Sequence, residues 1–371
     1  MGFSFQRLVS VGFFALPLLG TGLFACQTLA PGATLSGAQP RGVRAATLVW
    51  REIPAPADNP VTQAKVELGF RLWFEPRLSG NGRMTCGTCH QHNRGFSNGQ
   101  RNAEGIHGRR GRRSVPTIYA AAGSSQQFWD GRAESLEAQA LGPVTDPLEM
   151  DAKLDDVVRR LNSHPYYPKK FKEAFGETVT PEGIARALAS FERALQTELS
   201  PYERFLRGDS AALTEQQQLG NRLFNSSRGR CFSCHSGPDL TDRLFHNTGV
   251  GARDASPDSG RFLVTGNPGD KGRFKTPTLR NVALTAPYMH NGTLPTLEAV
   301  VAFYDQGGFP NSNLDRNLVP LGLTGEERDA LVAFLSALSA PDNLITIARL
   351  PGVRDPKRPD EPLSLPQDLL R

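Results

Sequence analysis

Cysteine is scarce in this chain, five in 371 residues, which sets aside a scaffold stapled throughout by disulfides. Long apolar runs are missing too. The only one, Leu8 to Leu19, falls short of the about 20 residues a membrane helix needs and is broken off by Pro17 and Gly20. No alternation of apolar and polar residues outlasts a hairpin, which argues against a sheet fold. Nor does charge of one sign accumulate. The formal net charge is +5 and the pI near 9.0, with the positive residues dispersed except at "RRGRR", Arg109 to Arg113. Such a distribution leaves no nucleic-acid footprint and suits an acidic partner protein or an anionic surface. What is present, 39% hydrophobic and 21% charged residues, suffices for a buried core, and the length suggests about two domains.

The N-terminus has the layout of an export signal: one arginine, a short apolar run, then small residues, over residues 1–25. Leu23-Phe24-Ala25-Cys26 resembles a bacterial lipoprotein cleavage box, with Phe24 bulkier than usual, so that Cys26 becomes a lipid-anchored N-terminus. The alternative is an ordinary signal peptide cut nearby. Either places the chain in the periplasm or cell envelope, with any membrane attachment made only through the lipid. Residues 26–50 then read as a linker.

An exported protein normally spends its cysteines on disulfides. Here the other four stand in "CGTCH", Cys86, Cys89 and His90, and "CFSCH", Cys231, Cys234 and His235. C-x-x-C-H is the attachment pattern of c-type haem: two thiols add across the porphyrin vinyl groups, and the adjoining His binds the iron. Two C-x-x-C pairs also describe one zinc site. His in the fifth place twice, from only 7 in the chain, favours two covalently bound haems.

A repeat surrounds these motifs. "LGFRLWF" at Leu68 to Phe74 precedes the first and "LGNRLF" at Leu219 to Phe224 the second. Each predicts a helix feeding a haem loop, started by Thr62 in one and by the Thr214-x-x-Gln217 capping box in the other. "TPEGIARALASFERALQTEL" carries an apolar face through Ile184, Ala187, Leu188, Phe191 and Leu195, a helix closing the first domain. A box at Thr324 and Glu327 opens the last core helix. The Pro-rich stretch after Asn343 has no periodicity. The expected fold is mainly α, two cytochrome c-like haem domains, 51–207 and 208–342, followed by an extended tail over 343–371.

From about Asn59 to Ala340 the chain resembles the bacterial di-haem cytochrome c peroxidases and the related MauG proteins. The match rests on both C-x-x-C-H sites, "FWDGRAESLEAQALGPVTDPLEM" at Phe128 to Met150 and "FKTPTLRNVALTAPYMHNG" at Phe274 to Gly292. The resemblance implies an aromatic bridge between the haems at Trp129 and a peroxide pocket over the first haem holding Gln139 and Glu149. Those roles are chemically coherent, since a shielded carboxylate can take a proton from one peroxide oxygen and return it to the other, whereas an amide can only orient. The family also offers His107 as a distal ligand of the first iron, against a reading as a surface or propionate-contacting His. His92, His164, His246 and His290 receive no ligand role.

For the second iron, residue chemistry alone favours Met289, because His/Met ligation is usual in electron-transfer haems. The resemblance instead points to Tyr304, at the position where ordinary peroxidases have methionine and MauG has tyrosine. Leu297, Val300, Val301 and Tyr304 fall on one helical face behind a Thr296 cap. A calcium between the domains is further implied, with carbonyls of Thr285 and Pro287 matching two ligands and Ser114 standing where the family has Asn. The function expected is reduction of hydrogen peroxide with electrons from a small redox protein, a cytochrome c or cupredoxin. The alternatives are a MauG-like oxidase that modifies a partner protein and a plain electron-transfer cytochrome.

Overall fold

The computed structural model describes residues 55–340 and the backbone of 346 and 347. The segment expected to be a signal peptide, Cys26 and nearly all of the Pro-rich tail lie outside the described residues. The α-helices described are α1 (Gln63–Trp73), α2 (Cys86–Cys89), α3 (Leu136–Ala140), α4 (Gly142–Thr145), α5 (Leu154–Asn162), α6 (Tyr167–Phe175), α7 (Pro181–Ala194), α8 (Pro201–Leu206), α9 (Glu215–Phe224), α10 (Phe262–Thr265), α11 (Leu297–Asp305) and α12 (Gly325–Ser336). Among the described residues the strands form two antiparallel pairs of two residues each, Leu195–Gln196 with Thr346–Ile347 and Phe245–His246 with Phe274–Lys275. No helix among the described residues is long and apolar enough to cross a membrane.

The helix starts follow local chemistry. Thr62 accepts from the Lys65 amide at 3.4 Å to open α1, and Thr296 accepts from Ala299 at 3.2 Å to open α11. Reciprocal boxes, Thr214 with Gln217 and Thr324 with Glu327, open α9 and α12. One boundary departs from the periodicity. The apolar face of α7 includes Leu195, yet the helix stops at Ala194, because Leu195 turns extended and pairs its backbone with Ile347. Its side chain stays buried at the same edge of the core.

Two hydrophobic cores form. The first gathers Leu68, Leu72, Phe96, Phe171, Ile184, Leu188 and Phe191; the second gathers Leu223, Phe224, Val301, Leu331 and Phe334. Both lie within one compact unit. The Leu-Gly-x-Arg-Leu repeat has a packing reason in each. A Cβ on Gly69 would sit 2.0 Å from the Ala187 carbonyl oxygen where α1 crosses α7, and one on Gly220 would sit 1.9 Å from the Ala330 oxygen where α9 crosses α12. Only glycine permits these crossings.

Gly69→Ala or Gly220→Ala is therefore expected to lower stability by about 1–3 kcal/mol through overpacking against backbone, more than the roughly 1 kcal/mol alanine gains in helix propensity. Gly325→Ala is the control, since nothing lies within 4 Å of a Cβ there; it should gain about 0.4–1 kcal/mol. Denaturant unfolding of the three variants measures this, and equal midpoints for all would refute it.

Candidate functional site

Each C-x-x-C-H segment leaves a helix or tight turn facing a cavity. Thr85 and Thr88 cap α2 reciprocally, and the amide of His90, next in line, returns to Cys86 O at 2.9 Å. The second segment makes a 3-10 turn over Cys231–Ser233, and His235 N reaches Cys231 O, also at 2.9 Å. His90 donates from Nδ1 to the Phe96 carbonyl at 3.0 Å, and His235 from Nδ1 to the Leu240 carbonyl at 3.0 Å. Both acceptor residues hold left-handed backbone, φ 60° at Phe96 and 52° at Leu240. A side chain there costs about 1–2 kcal/mol, and the same strain at both sites aims a carbonyl at the imidazole.

The consequence is electrostatic. Burial pushes both imidazoles below their usual pKa, so they are neutral at pH 7, and with Nδ1–H committed, Nε2 keeps its lone pair for a metal. Burial pushes Cys86 up to about 12, Cys89 to about 11 and Cys231 to about 12, which keeps them thiols. Cys86 and Cys89 line one cavity and Cys231 and Cys234 another. The four sulfurs thus do not converge on one zinc. A neutral imidazole beside two thiols on the wall of an apolar cavity is a donor set that fits haem, twice.

The first cavity, about 620 Å³ against about 230 Å³ for the second, brings together His90, Gln139, Glu149 and Trp129. Gln139 stands on α3, capped by Ser135, whose hydroxyl accepts from Ala138 N at 3.0 Å. Glu149 is placed by chain return against α4: Met150 N to Pro143 O at 3.1 Å and Ala152 N to Val144 O at 2.8 Å. Burial, and then the nearby Asp146, raise the Glu149 carboxyl above its usual range.

His107 does not join them. Its loop packs on the Glu149 backbone through Ile106 N to Glu149 O at 2.8 Å. A left-handed φ of 67° turns the ring outward, to 3.7 Å from Asp151 with 53% of the side chain exposed. In this conformation His107 lies outside the first cavity.

Trp129 lines both cavities. Its Nε1 donates to Ser114 O at 3.0 Å, and its carbonyl accepts from Lys275 N at 2.8 Å. The rest of the shared wall is Ser114-Val115-Pro116-Thr117 and Lys275-Thr276-Pro277-Thr278, which contain a second internal repeat, Val-Pro-Thr and Thr-Pro-Thr. Behind it Arg113 bonds Asp130 at 2.6 Å and Asp258 at 2.8 Å, tying the halves together.

Leu297, Val300, Val301 and Tyr304 all line the second cavity, and so does Met289. Burial, then the Cys234 and Cys231 sulfurs, push the Tyr304 phenol well above its usual pKa. Met289 has φ 73°, and its carbonyl accepts from Ser114 Oγ at 2.8 Å. Thr285 and Pro287 line the same cavity. The Ser114 hydroxyl donates to the Met289 carbonyl, and nothing below rests on a calcium ion there.

His246 was not singled out by any motif. It lines the second cavity with Nδ1 2.6 Å from Asp315 and Nε2 2.8 Å from Asp242. The Asp242 hydrogen bond, with Cys234 and Asp315, raises it to about 11, so it is an imidazolium at pH 7. Cys234, Asp242 and His246 come within 4.8 Å of one another, but with both ring nitrogens held by carboxylates, His246 has no lone pair for a metal. Lys275, buried in the wall, is lowered to about 8 by desolvation and then by Arg243.

A family model described as di-haem cytochrome c peroxidase matches residues 63–211. The chain is 40% identical over 306 residues to the methylamine utilization protein MauG of Methylorubrum extorquens, covering 81% of this chain and 85% of that protein. It is 35% identical over 302 residues to the cytochrome c551 peroxidase of Pseudomonas aeruginosa, covering 79% and 84% respectively. Among solved structures it is similar to a MauG-like protein associated with microbial copper homeostasis, with a TM-score of 0.74, 33% identity, and coverage of 80% of this chain and 95% of that one.

Proposed function

The chain belongs to the family of di-haem cytochrome c peroxidases and MauG proteins, and from that membership we propose that it is an exported di-haem c-type peroxidase reducing hydrogen peroxide to water. The halves 51–207 and 208–342 would each hold one haem, attached at Cys86 and Cys89 with His90 as ligand, and at Cys231 and Cys234 with His235. Bound haem supplies the redox iron at which the peroxide O–O bond is broken. Glu149 takes the proton from one peroxide oxygen and returns it to the other, so the carboxylate is regenerated in each cycle. Gln139 holds peroxide by hydrogen bonding. The two electrons and two further protons that complete two waters come from a small redox protein, a cytochrome c or cupredoxin, and from solvent. Trp129, common to both cavity walls, connects the halves.

The observation that carries this reading is that Glu149 and Gln139 face the same cavity as His90. A cytochrome that only passes electrons has no use for an acid and an amide there. Stopped-flow mixing of the ferric holoprotein with stoichiometric peroxide should give a rapid spectral change. An unaltered spectrum would leave only electron transfer.

A second reading, a MauG-like oxidase that draws its electrons from the side chains of a partner protein, is favoured by Tyr304. A phenolate ligand stabilises oxidised iron, which suits a protein that stores oxidising equivalents better than one awaiting prior reduction. Peroxide consumption without an added donor, with covalent change in a co-exported partner, would establish it.

A further inference from the structure

Glu192 is a buried acid that the peroxide chemistry leaves unused. It sits on α7 one turn after Leu188, and both line the first cavity. It is 6% exposed, and no hydrogen bond reaches its carboxyl from any described residue. The charged groups nearest it offer little. Arg193, the next residue, gives its guanidinium to Glu137 of α3 at 2.6 and 2.9 Å, so the two largely cancel. From α1, the helix packed closest, come Gly69 against Ala187 and Phe191 and Phe70 against the Phe191 ring at 5.6 Å, neither of them titratable. The turn at Ala121–Gly123 has no ionisable side chain. On the cavity wall the Cys86 thiol feels Glu192 as its largest charged influence.

Glu149 also acts on the thiols, as the charged influence on Cys89, but it has charged neighbours of its own in Asp146 and Arg132. Burial raises Glu192 to about 8, so near neutral pH it is poised between its two forms. Whatever charge it carries has no partner except what the cavity holds.

We propose that Glu192 is the redox-linked proton acceptor of the first haem site, gaining one proton when that iron gains one electron and releasing it when the electron leaves. The proposal rests on the di-haem reading above. Added negative charge in a low-dielectric cavity favours the neutral carboxyl, and by reciprocity the protonated carboxyl favours the reduced iron. One electron and one proton enter together, the proton from solvent at the cavity mouth, and the charge of the cavity is conserved. The sign follows. The proton affinity of Glu192 is lower with oxidised iron and higher with reduced iron, so the midpoint potential falls as pH rises between those two values.

Spectroelectrochemical titration of the holoprotein from about pH 6 to pH 10 tests this, in the wild type and in Glu192→Gln. The wild-type first haem should lose up to a factor of ten in reduction equilibrium per pH unit, about 59 mV for one electron. Glu192→Gln should flatten that slope. A pH-indicator dye should record close to one proton fewer taken up on reduction of the variant. A di-haem protein with the same slope and the same uptake in both forms overturns the proton acceptor alone, and a protein carrying no haem overturns the peroxidase reading with it. Should the Gln variant fail to fold, the wild type decides, because a flat midpoint across the range refutes the proposal.

Discussion

Replacement of Glu149 by Gln is expected to slow the reaction with hydrogen peroxide by about 10²–10⁴-fold, the range over which a positioned acid–base group contributes. The substitution keeps shape and hydrogen bonding and removes only the ability to take up a proton. Glu149 faces the cavity that His90 faces, and burial raises its carboxyl above the ordinary range. It works as a base only when deprotonated. The rate should therefore be full above the raised pKa and fall as pH drops through it, at a higher pH than a solvent-exposed glutamate would give. The variant should lack that step. Gln139→Leu should cost less, because an amide can orient peroxide but moves no proton. The second-order rate constant as a function of pH, by stopped flow, measures all three. Equal rates for wild type and Glu149→Gln would remove this carboxylate from the chemistry.

What could be read from the sequence divides by how far apart the cooperating atoms lie along the chain. Thr62, Thr214, Thr296 and Thr324 cap helices through partners three residues away, and such short spacings are legible. The C-x-x-C-H motifs are local as well, and a spacing shared with a known family singled out Gln139 and Glu149. The helix end at Ala194 was missed because a distant strand captured Leu195, a contact that periodicity does not encode. The ion-pair role of His246 was not legible for the same reason: Asp315, which holds its Nδ1, lies 69 residues on. Glu192 reads in sequence as one more charge on an amphipathic helix, and only the cavity in front of it makes it unusual. The glycines of the repeated Leu-Gly-x-Arg-Leu unit were visible as a repeat, but their reason, a backbone oxygen at 2.0 or 1.9 Å from a Cβ, needed the crossing helices.

Tyr304→Phe removes a single oxygen atom and should open the second iron to outside ligands. The residue falls on the inward face of α11 with Leu297, Val300 and Val301, all lining the second cavity, and no described residue hydrogen-bonds its hydroxyl. Burial and two nearby sulfurs resist its ionisation, so only a cation in the cavity can hold a phenolate there. In the proposed di-haem reading, ferric iron held by His235 would be such a cation. Without the phenol, the holoprotein should bind two equivalents of cyanide where the wild type binds one, and the second haem should turn from low-spin to high-spin. Its midpoint should rise by on the order of a few tenths of a volt, within the roughly 0.8 V that axial ligands span, because an anionic ligand no longer stabilises the oxidised state. Met289 is the rival ligand. If Tyr304 holds the iron, Met289→Leu should leave the spectrum as it was. A resting ferric spectrum and cyanide stoichiometry for the two variants separate the cases, and an altered Met289→Leu beside an unaltered Tyr304→Phe would transfer the ligand to the thioether.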